Sequence, residues 1–134
     1  LVQIISFTRS RMNSIKVSYS SPSNIAIVKY WGKFGEQLPM NPSFSFTLNE
    51  SRTIMNVERS DSESLSLDFY FEEKKKEKFE KKILSKLARF SKELSWINQS
   101  KFVMHSYNTF PHSTGIASSA SSMSALALCL VEIE

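Results

Sequence analysis

A ten-residue stretch near the C-terminal end of the sequence has the composition of an anion-binding loop. Residues 111–120 read Pro-His-Ser-Thr-Gly-Ile-Ala-Ser-Ser-Ala and lie between a predicted strand and a stretch without Gly or Pro. A helix that begins here directs unpaired backbone N–H groups and the positive end of its dipole at the loop, which suits a phosphate group. Gly115 permits a close approach of the backbone, and Ser118 and Ser119 add hydroxyl groups. By spacing alone, the same serines also fit an ordinary helix N-cap without a ligand.

A second segment places two lysines on either side of an aromatic pair. Residues 24–33 read Asn-Ile-Ala-Ile-Val-Lys-Tyr-Trp-Gly-Lys. A tyrosine hydroxyl donates one hydrogen bond and an ammonium group supplies charge, so Tyr30 beside Lys29 and Lys33 suits an acidic ligand. The alternative is an edge strand whose lysine stems lie along apolar surface while their charges remain in water.

Apolar patterns predict the elements that must position these two segments. The strands are predicted at residues 15–19, 24–29, 44–48, 52–58, 65–71 and 101–107, with a turn at 20–23. The strand at 24–29 is mostly apolar, and we expect it to be buried on both faces. Helices are predicted at residues 79–94 and 117–132. This order of strands and helices predicts an α+β fold.

Each predicted helix has an apolar side, which indicates core packing rather than a ligand site. In the first helix this side consists of Phe79, Ile83, Leu87, Phe90 and Leu94. In the second helix it consists of Ala117, Ala120, Met123, Ala127 and Leu130.

The composition argues against several other classes of protein. The net charge is +4, but acids and bases alternate through residues 72–82, which is typical of a solvated surface and not of nucleic-acid binding. Cys129 is the single cysteine, so no internal disulfide is expected. The two histidines, His105 and His112, are too few for a metal cluster, and we expect no protein-bound metal site. No segment has the roughly eighteen apolar residues of a membrane span, so no membrane partner is expected.

Three motifs occur in the order found in one enzyme family. They are Asn24–Lys33, of the form N-I-A-x-x-K-Y-W-G-K; Leu38–Leu48, of the form L-P-x-N-x-S-x-S-x-T-L; and Asn108–Ala120, of the form N-x-F-P-x-x-x-G-L-A-S-S-A, with Ile116 in place of Leu. Over residues 14–134 the chain resembles the diphosphomevalonate decarboxylases of the GHMP kinase superfamily. The last motif indicates only the superfamily, whereas the Lys-Tyr-Trp-Gly-Lys block points to the decarboxylases. His112 departs from the family loop, where a smaller residue stands.

The resemblance implies a fold, a reaction and a set of site residues. The fold is the N-terminal lobe of GHMP kinases, which is ribosomal protein S5 domain 2-like and has a mixed sheet with helices on one face. The reaction is the ATP- and Mg²⁺-dependent decarboxylation of mevalonate 5-diphosphate to isopentenyl diphosphate. The resemblance also implies a cytoplasmic location and a candidate homodimer of the full-length protein. The implied catalytic residues are Lys29 and Ser119. The implied substrate-binding residues are Tyr30, Trp31, Gly32, Lys33 and Lys82, and the implied nucleotide-binding residues are Pro111, Gly115, Ile116, Ala117, Ser118, Ser119 and Ala120.

Two further segments of the family have no match in this chain. One is the Asp-Ala-Gly-Pro-Asn-like segment with the catalytic aspartate, and the other is a Gly-Ser-Gly-Ser block with a substrate-binding arginine. We therefore expect residues 12–134 to be an incomplete, truncated N-terminal domain that is inactive alone, and residues 1–11 to be a disordered or non-native extension. Two alternatives remain: a small-molecule kinase acting on mevalonate or phosphomevalonate without decarboxylation, and a non-catalytic interaction module.

Overall fold

The computed structural model describes residues 3–9, 14–29, 31–35, 38–111 and 118–134. The strands in this part of the chain are β1 (Gln3–Arg9), β2 (Ser14–Val28), β3 (Lys33–Phe34), β4 (Leu38–Pro39), β5 (Phe44–Asp61), β6 (Ser66–Phe71), β7 (Lys74–Lys75) and β8 (Ser100–Asn108). The helices are α1 (Glu77–Phe90) and α2 (Ser118–Ile133), and a 3₁₀ turn covers Ser95–Gln99.

Six of these strands form one mixed sheet in the order β1-β2-β5-β8-β6-β7, and β3 pairs with β4 in a separate hairpin. β6 and β8 run parallel, while the other neighbours in the sheet run antiparallel. Two parallel neighbours need a long crossover connection, and α1 supplies it between β6 and β8. The predicted α+β class with a mixed sheet is confirmed.

Both helices pack on the same face of the sheet and enclose the core. The buried apolar side chains of the sheet are Val17, Met55, Val57, Leu67, Phe69, Phe102 and Met104, and those of the helices are Ile83, Leu87, Ala125, Leu126, Cys129, Leu130 and Ile133. The predicted apolar side of the first helix is confirmed at Ile83 and Leu87, with Phe79 and Leu94 partly buried. Phe90, at the end of α1, is 37% exposed.

The predicted packed side of α2 is wrong in its rotation about the helix axis. Ala120 and Ala127 are exposed, whereas Ser121 and Ala125 are buried. Leu130 is buried as predicted, and Ala117 lies outside the described residues. Ala, Ser and Leu occur all around this helix, so the apolar period leaves its rotation poorly defined. The side of α2 that faces the sheet consists of Ser121, Ala125, Leu126, Cys129, Leu130 and Ile133, which are all buried.

The predicted turn at residues 20–23 is wrong, because β2 continues through it as one strand of 15 residues. The serines of this stretch are buried, and two of them form side-chain hydrogen bonds, Ser20 to Arg52 and Ser23 to Ser121. Pro22 is tolerated because β1 pairs only as far as Ser20 and because the register with β5 shifts after Pro22.

Residues 24, 25, 27 and 28 are exposed and Ala26 is half-buried, so the predicted burial of this segment on both faces is wrong. Ile25, Ile27 and Val28 are 42%, 59% and 51% exposed. Here β2 pairs only with residues 44–48 of β5, because β1 pairs with β2 no further than Ser20 and β8 pairs with β5 only from Thr53 onward.

Residues 3–9 form the edge strand β1, antiparallel to β2, and the expectation of a disordered or non-native extension over residues 1–11 stays a prediction. The domain boundary at residue 12 stays a prediction. Within the described ranges, no helix is both long enough and apolar enough to cross a membrane.

Candidate functional site

A cavity of about 570 Å³ lies between α1 and α2, above the sheet. Its apolar lining comes from Met55, Phe69, Phe71, Phe79, Ile83, Met123 and Leu126. Its polar lining comes from Lys82, Lys86, Ser106, Asn108, Ser118, Ser119 and Ser122, and Ala120 completes the wall. An apolar cavity with a few convergent polar groups is the usual form of a small-molecule site.

The first turn of α2 forms one side of this cavity. Ser118, Ser119 and Ala120 line it, as expected of an anion-binding helix start. The hydroxyl of Ser122 donates to the carbonyl of Ser118 at 2.7 Å, so this hydroxyl is used within the helix. The side chain of Ser119 is exposed at the cavity wall.

Two lysines on α1 form the opposite side. Lys82 and Lys86 are four residues apart, so they project from the same face of the helix. They are the charged residues among the described lining of the cavity, and both are exposed. The cavity therefore presents positive charge from two directions, the lysines and the N-terminus of α2. Lys86 is not among the residues predicted from the sequence, although its spacing of four residues from Lys82 places both lysines on one face of a helix.

Two aspartates, Asp68 on β6 and Asp61 at the end of β5, form ion pairs and do not line the cavity. Asp68 contacts Lys75 Nζ at 2.6 Å, and this hydrogen bond to the ammonium group lowers the pKa of the carboxyl group. Asp61 contacts Arg59 at 2.6 Å. Among the described residues that line the cavity, none is acidic. An anionic ligand therefore meets no described carboxylate there.

The strand that leads to the loop is fixed at its end by a pair of main-chain and side-chain bonds. The N–H of Thr109 donates to the carbonyl of Arg52 at 2.9 Å, and the N–H of Arg52 donates to the hydroxyl of Thr109 at 2.9 Å. Phe110 is buried and Pro111 is exposed. The predicted nucleotide residues Gly115, Ile116 and Ala117, in contrast, lie outside the described residues.

The lysine–aromatic segment at residues 29–33 is organised by one asparagine. The N–H of Trp31 donates to Asn41 Oδ1 at 2.7 Å, and Asn41 Nδ2 donates to the carbonyls of Pro42 at 2.9 Å and Lys29 at 3.4 Å. Lys29, Trp31 and Lys33 are exposed, and Tyr30 lies outside the described residues. Asn41 was missed as a functional residue, although it stands in the second of the three motifs.

Gly32 is required by the local backbone. Its φ is +95°, and a Cβ atom at this position would lie 2.9 Å from the sulfur of Met40. The N–H of Met40 also donates to the carbonyl of Gly32 at 3.2 Å. A side chain at residue 32 would strain the backbone at this φ and displace the side chain of Met40.

The predicted site residues thus fall into two groups. The cavity brings Ser118, Ser119 and Ala120 together with Lys82. Lys29, Trp31, Gly32 and Lys33 are not among its lining residues and lie in the segment that Asn41 holds. Lys82, predicted with the second group, is therefore placed beside the first.

Comparison with known proteins identifies the relatives of this chain. Residues 21–134 match the family described as the diphosphomevalonate decarboxylase-like N-terminal domain. The diphosphomevalonate decarboxylase of Debaryomyces hansenii is 36% identical over 130 residues, which cover 87% of this chain and 33% of that protein. The crystal structure of mevalonate diphosphate decarboxylase from Staphylococcus aureus has a TM-score of 0.71 at 33% identity, over 86% of this chain and 35% of its own.

A further solved structure concerns the mevalonate diphosphate mediated ATP binding mechanism of the mevalonate diphosphate decarboxylase from Enterococcus faecalis. It has a TM-score of 0.68 at 29% identity, over 85% of this chain and 36% of its own. The chain spans about a third of the length of the curated relatives that it matches, such as the 33% covered in the Debaryomyces protein. The predicted family and the fold of its N-terminal lobe are confirmed. Because the family match extends over residues 21–134, the chain belongs to the diphosphomevalonate decarboxylase-like N-terminal domain family.

Proposed function

We propose that the full protein decarboxylates mevalonate 5-diphosphate at the expense of ATP, and that this chain supplies binding groups for both substrates. The observation that carries the proposal is the cavity in which the first turn of α2, residues 118–120, faces Lys82 and Lys86. Membership of the decarboxylase-like family supports the choice of reaction.

In this proposal the cavity binds ATP. Its volume of about 570 Å³ suits a nucleotide-sized ligand, and its phenylalanine and methionine side chains suit a base. The phosphates lie at the N-terminus of α2, where the N–H groups and the Ser119 hydroxyl meet them. We also assign Pro111, Gly115, Ile116 and Ala117 to nucleotide binding. Lys82 and Lys86 approach the same charges from α1. Mg²⁺ bound with ATP neutralises part of the phosphate charge.

The segment at residues 29–33 binds mevalonate 5-diphosphate. Lys33 pairs with the diphosphate, Tyr30 donates a hydrogen bond to it, and Trp31 and Gly32 shape the approach. Lys29 lies nearer the reacting hydroxyl group, which it orients for phosphoryl transfer. Asn41 holds this segment in place, since it bonds the backbone on both sides of residue 30.

The reaction has two steps. The oxygen of the tertiary 3-hydroxyl attacks the γ-phosphorus of ATP, the bond from that phosphorus to ADP breaks, and an aspartate from outside this chain takes the hydroxyl proton. The bond between the carboxylate carbon and C2 then breaks, its electron pair forms the C2–C3 double bond, and phosphate leaves C3. The products are isopentenyl diphosphate, CO₂, phosphate and ADP. The Ser119 hydroxyl orients the transferred phosphoryl group in the first step, where positioning and charge stabilisation dominate.

Product analysis on the full-length protein tests the proposal. With ATP, Mg²⁺ and mevalonate 5-diphosphate, ADP, phosphate and CO₂ are expected in equal amounts, and none without ATP. ADP without CO₂ would replace the proposal with a small-molecule kinase. A protein that binds neither ATP nor the diphosphate would be a non-catalytic interaction module.

A further inference from the structure

Three buried hydroxyl groups lie where the first turn of α2 packs against the sheet. They belong to Ser23 on β2, Thr53 on β5 and Ser121 on α2, which are 0%, 0% and 2% exposed. Ser23 Oγ lies 3.2 Å from Ser121 Oγ, and Thr53 Oγ1 lies 2.7 Å from Ser121 Oγ. The three groups join two strands of the sheet to the helix that lines the cavity.

The direction of these hydrogen bonds follows from the single proton of each hydroxyl. Thr53 donates to Asn108 Oδ1 at 2.9 Å, so in its contact with Ser121 it must accept. Ser121 therefore accepts from Ser23 and directs its one proton at Thr53 Oγ1, with the carbonyl of Ser118 as a second acceptor at 3.1 Å. The hydrogen-bond network runs from Ser23 through Ser121 and Thr53 to Asn108.

This network reaches the cavity wall at Asn108 and, through Ser121, at the first turn of α2. Ser121 follows Ser118–Ala120 within the first turn of α2, and Asn108 lines the cavity from the end of β8. Because Asn108 Oδ1 accepts from Thr53, the bond sets which way the amide of Asn108 faces. Apolar neighbours such as Met55 and Val57 fill the core but give no directional restraint, whereas buried hydrogen bonds do.

We propose that Ser23, Thr53 and Ser121 are positioning residues, which hold the first turn of α2 and the amide of Asn108 in the arrangement that the cavity needs to bind nucleotide. This inference rests on the proposed function, since it takes the cavity to be the nucleotide site. The three residues touch no ligand themselves. They act by fixing the rotation of α2 about its axis and the rotamer of Asn108.

The test compares variants of Thr53 in the full-length protein, by calorimetry with a non-hydrolysable ATP analogue and by thermal unfolding. Thr53→Val keeps the shape and removes the hydroxyl, and Thr53→Ser keeps the hydroxyl. We expect Thr53→Val to weaken binding of the analogue roughly 5- to 20-fold, as the loss of one or two buried hydrogen bonds predicts. Thr53→Ser should bind within about 2-fold of the parent protein.

Val57→Ala is the matched control, because Val57 lies on the same strand, is 1% exposed and does not line the cavity. This variant should lower the midpoint of thermal unfolding and leave the affinity for the ATP analogue unchanged. If Thr53→Val does not fold, Ser121→Ala gives the same comparison. Binding of the Thr53→Val or Ser121→Ala variant at the parent level, or binding of Thr53→Ser as weak as that of Thr53→Val, would overturn the inference. A parent protein that does not bind the analogue would overturn the proposed function instead.

Discussion

The side chain of Asn41 holds the backbone of Trp31, with the Trp31 N–H 2.7 Å from Asn41 Oδ1. The same amide donates to the carbonyl of Lys29 at 3.4 Å and to that of Pro42 at 2.9 Å. One asparagine therefore fixes the chain on both sides of residue 30, between the two lysines assigned to the diphosphate substrate. This bond links the first and second sequence motifs physically.

Asn41→Ala should weaken binding of mevalonate 5-diphosphate roughly 10-fold and leave ATP affinity within about 2-fold, because the lost bonds order only the substrate segment. Calorimetry with each ligand separately measures both effects. Asn98→Ala is the control, since Asn98 is exposed in the 3₁₀ turn. An equal loss of ATP affinity in Asn41→Ala would show that the segment and the cavity do not act separately.

Lys82→Ala should weaken ATP binding roughly 5- to 10-fold at low ionic strength, since it removes one charge-assisted contact from an exposed position. The loss should shrink as salt is added, because exposed charges are screened. Lys81→Ala is the matched control, since Lys81 is its exposed neighbour on α1 and does not line the cavity. If Lys82→Ala weakens only the binding of the diphosphate substrate, Lys82 is a substrate-binding residue like Lys33 and does not contact ATP.

Ser119→Ala should lower kcat on the order of 100-fold while changing the KM for ATP only a few-fold. A donor that acts mainly in the transition state has this effect. Steady-state kinetics of the full-length protein gives both constants. Ser124→Ala, on an exposed part of α2 away from the cavity, should behave as the parent protein. A kcat of Ser119→Ala equal to that of the parent protein would contradict a role in phosphoryl transfer and leave Ser119 only a helix-capping role.

The thiol of Cys129 should be unreactive in the folded protein. Burial raises the pKa of this thiol to about 12, so almost none of it is thiolate at pH 8. Iodoacetamide should modify it only after denaturation. The folded state keeps a proton that the unfolded chain releases above about pH 8.5, so the free energy of unfolding should fall as the pH rises from there, by at most about 1.4 kcal/mol per unit. In Cys129→Ala this part of the slope should be absent. Rapid modification of the native protein would contradict the burial.

The sequence predicts the fold class and the family, because strand alternation and the three motifs are local signals, whereas the roles of the site residues stay predictions. The core of α1 follows from the spacing of Ile83 and Leu87 in the same way. The rotation of α2 does not, because it depends on contacts with distant parts of the chain, such as those of Ser121 with Ser23 and Thr53, which are 98 and 68 residues away.

Long-range contacts also explain the other errors. The composition of the serines around Pro22 predicts a turn. However, β2 continues through them, because the Ser20 hydroxyl accepts a hydrogen bond from Arg52 and the Ser23 hydroxyl donates one to Ser121. The exposure of residues 24–28 depends on where the neighbouring strands stop pairing. The position of Lys82 beside α2 depends on the packing of two helices, which no local motif records, and its assignment to the substrate stays a prediction.

The most direct measurement is photolabelling of the full-length protein with 8-azido-ATP, followed by peptide mapping. The nucleotide assignment predicts that the label falls on peptides from α1 and the first turns of α2, around residues 79–86 and 118–126, and that excess ATP prevents labelling. Excess mevalonate 5-diphosphate should not prevent it. Specific labelling of residues 24–48, with the cavity peptides unlabelled, would contradict the assignment of the cavity to ATP.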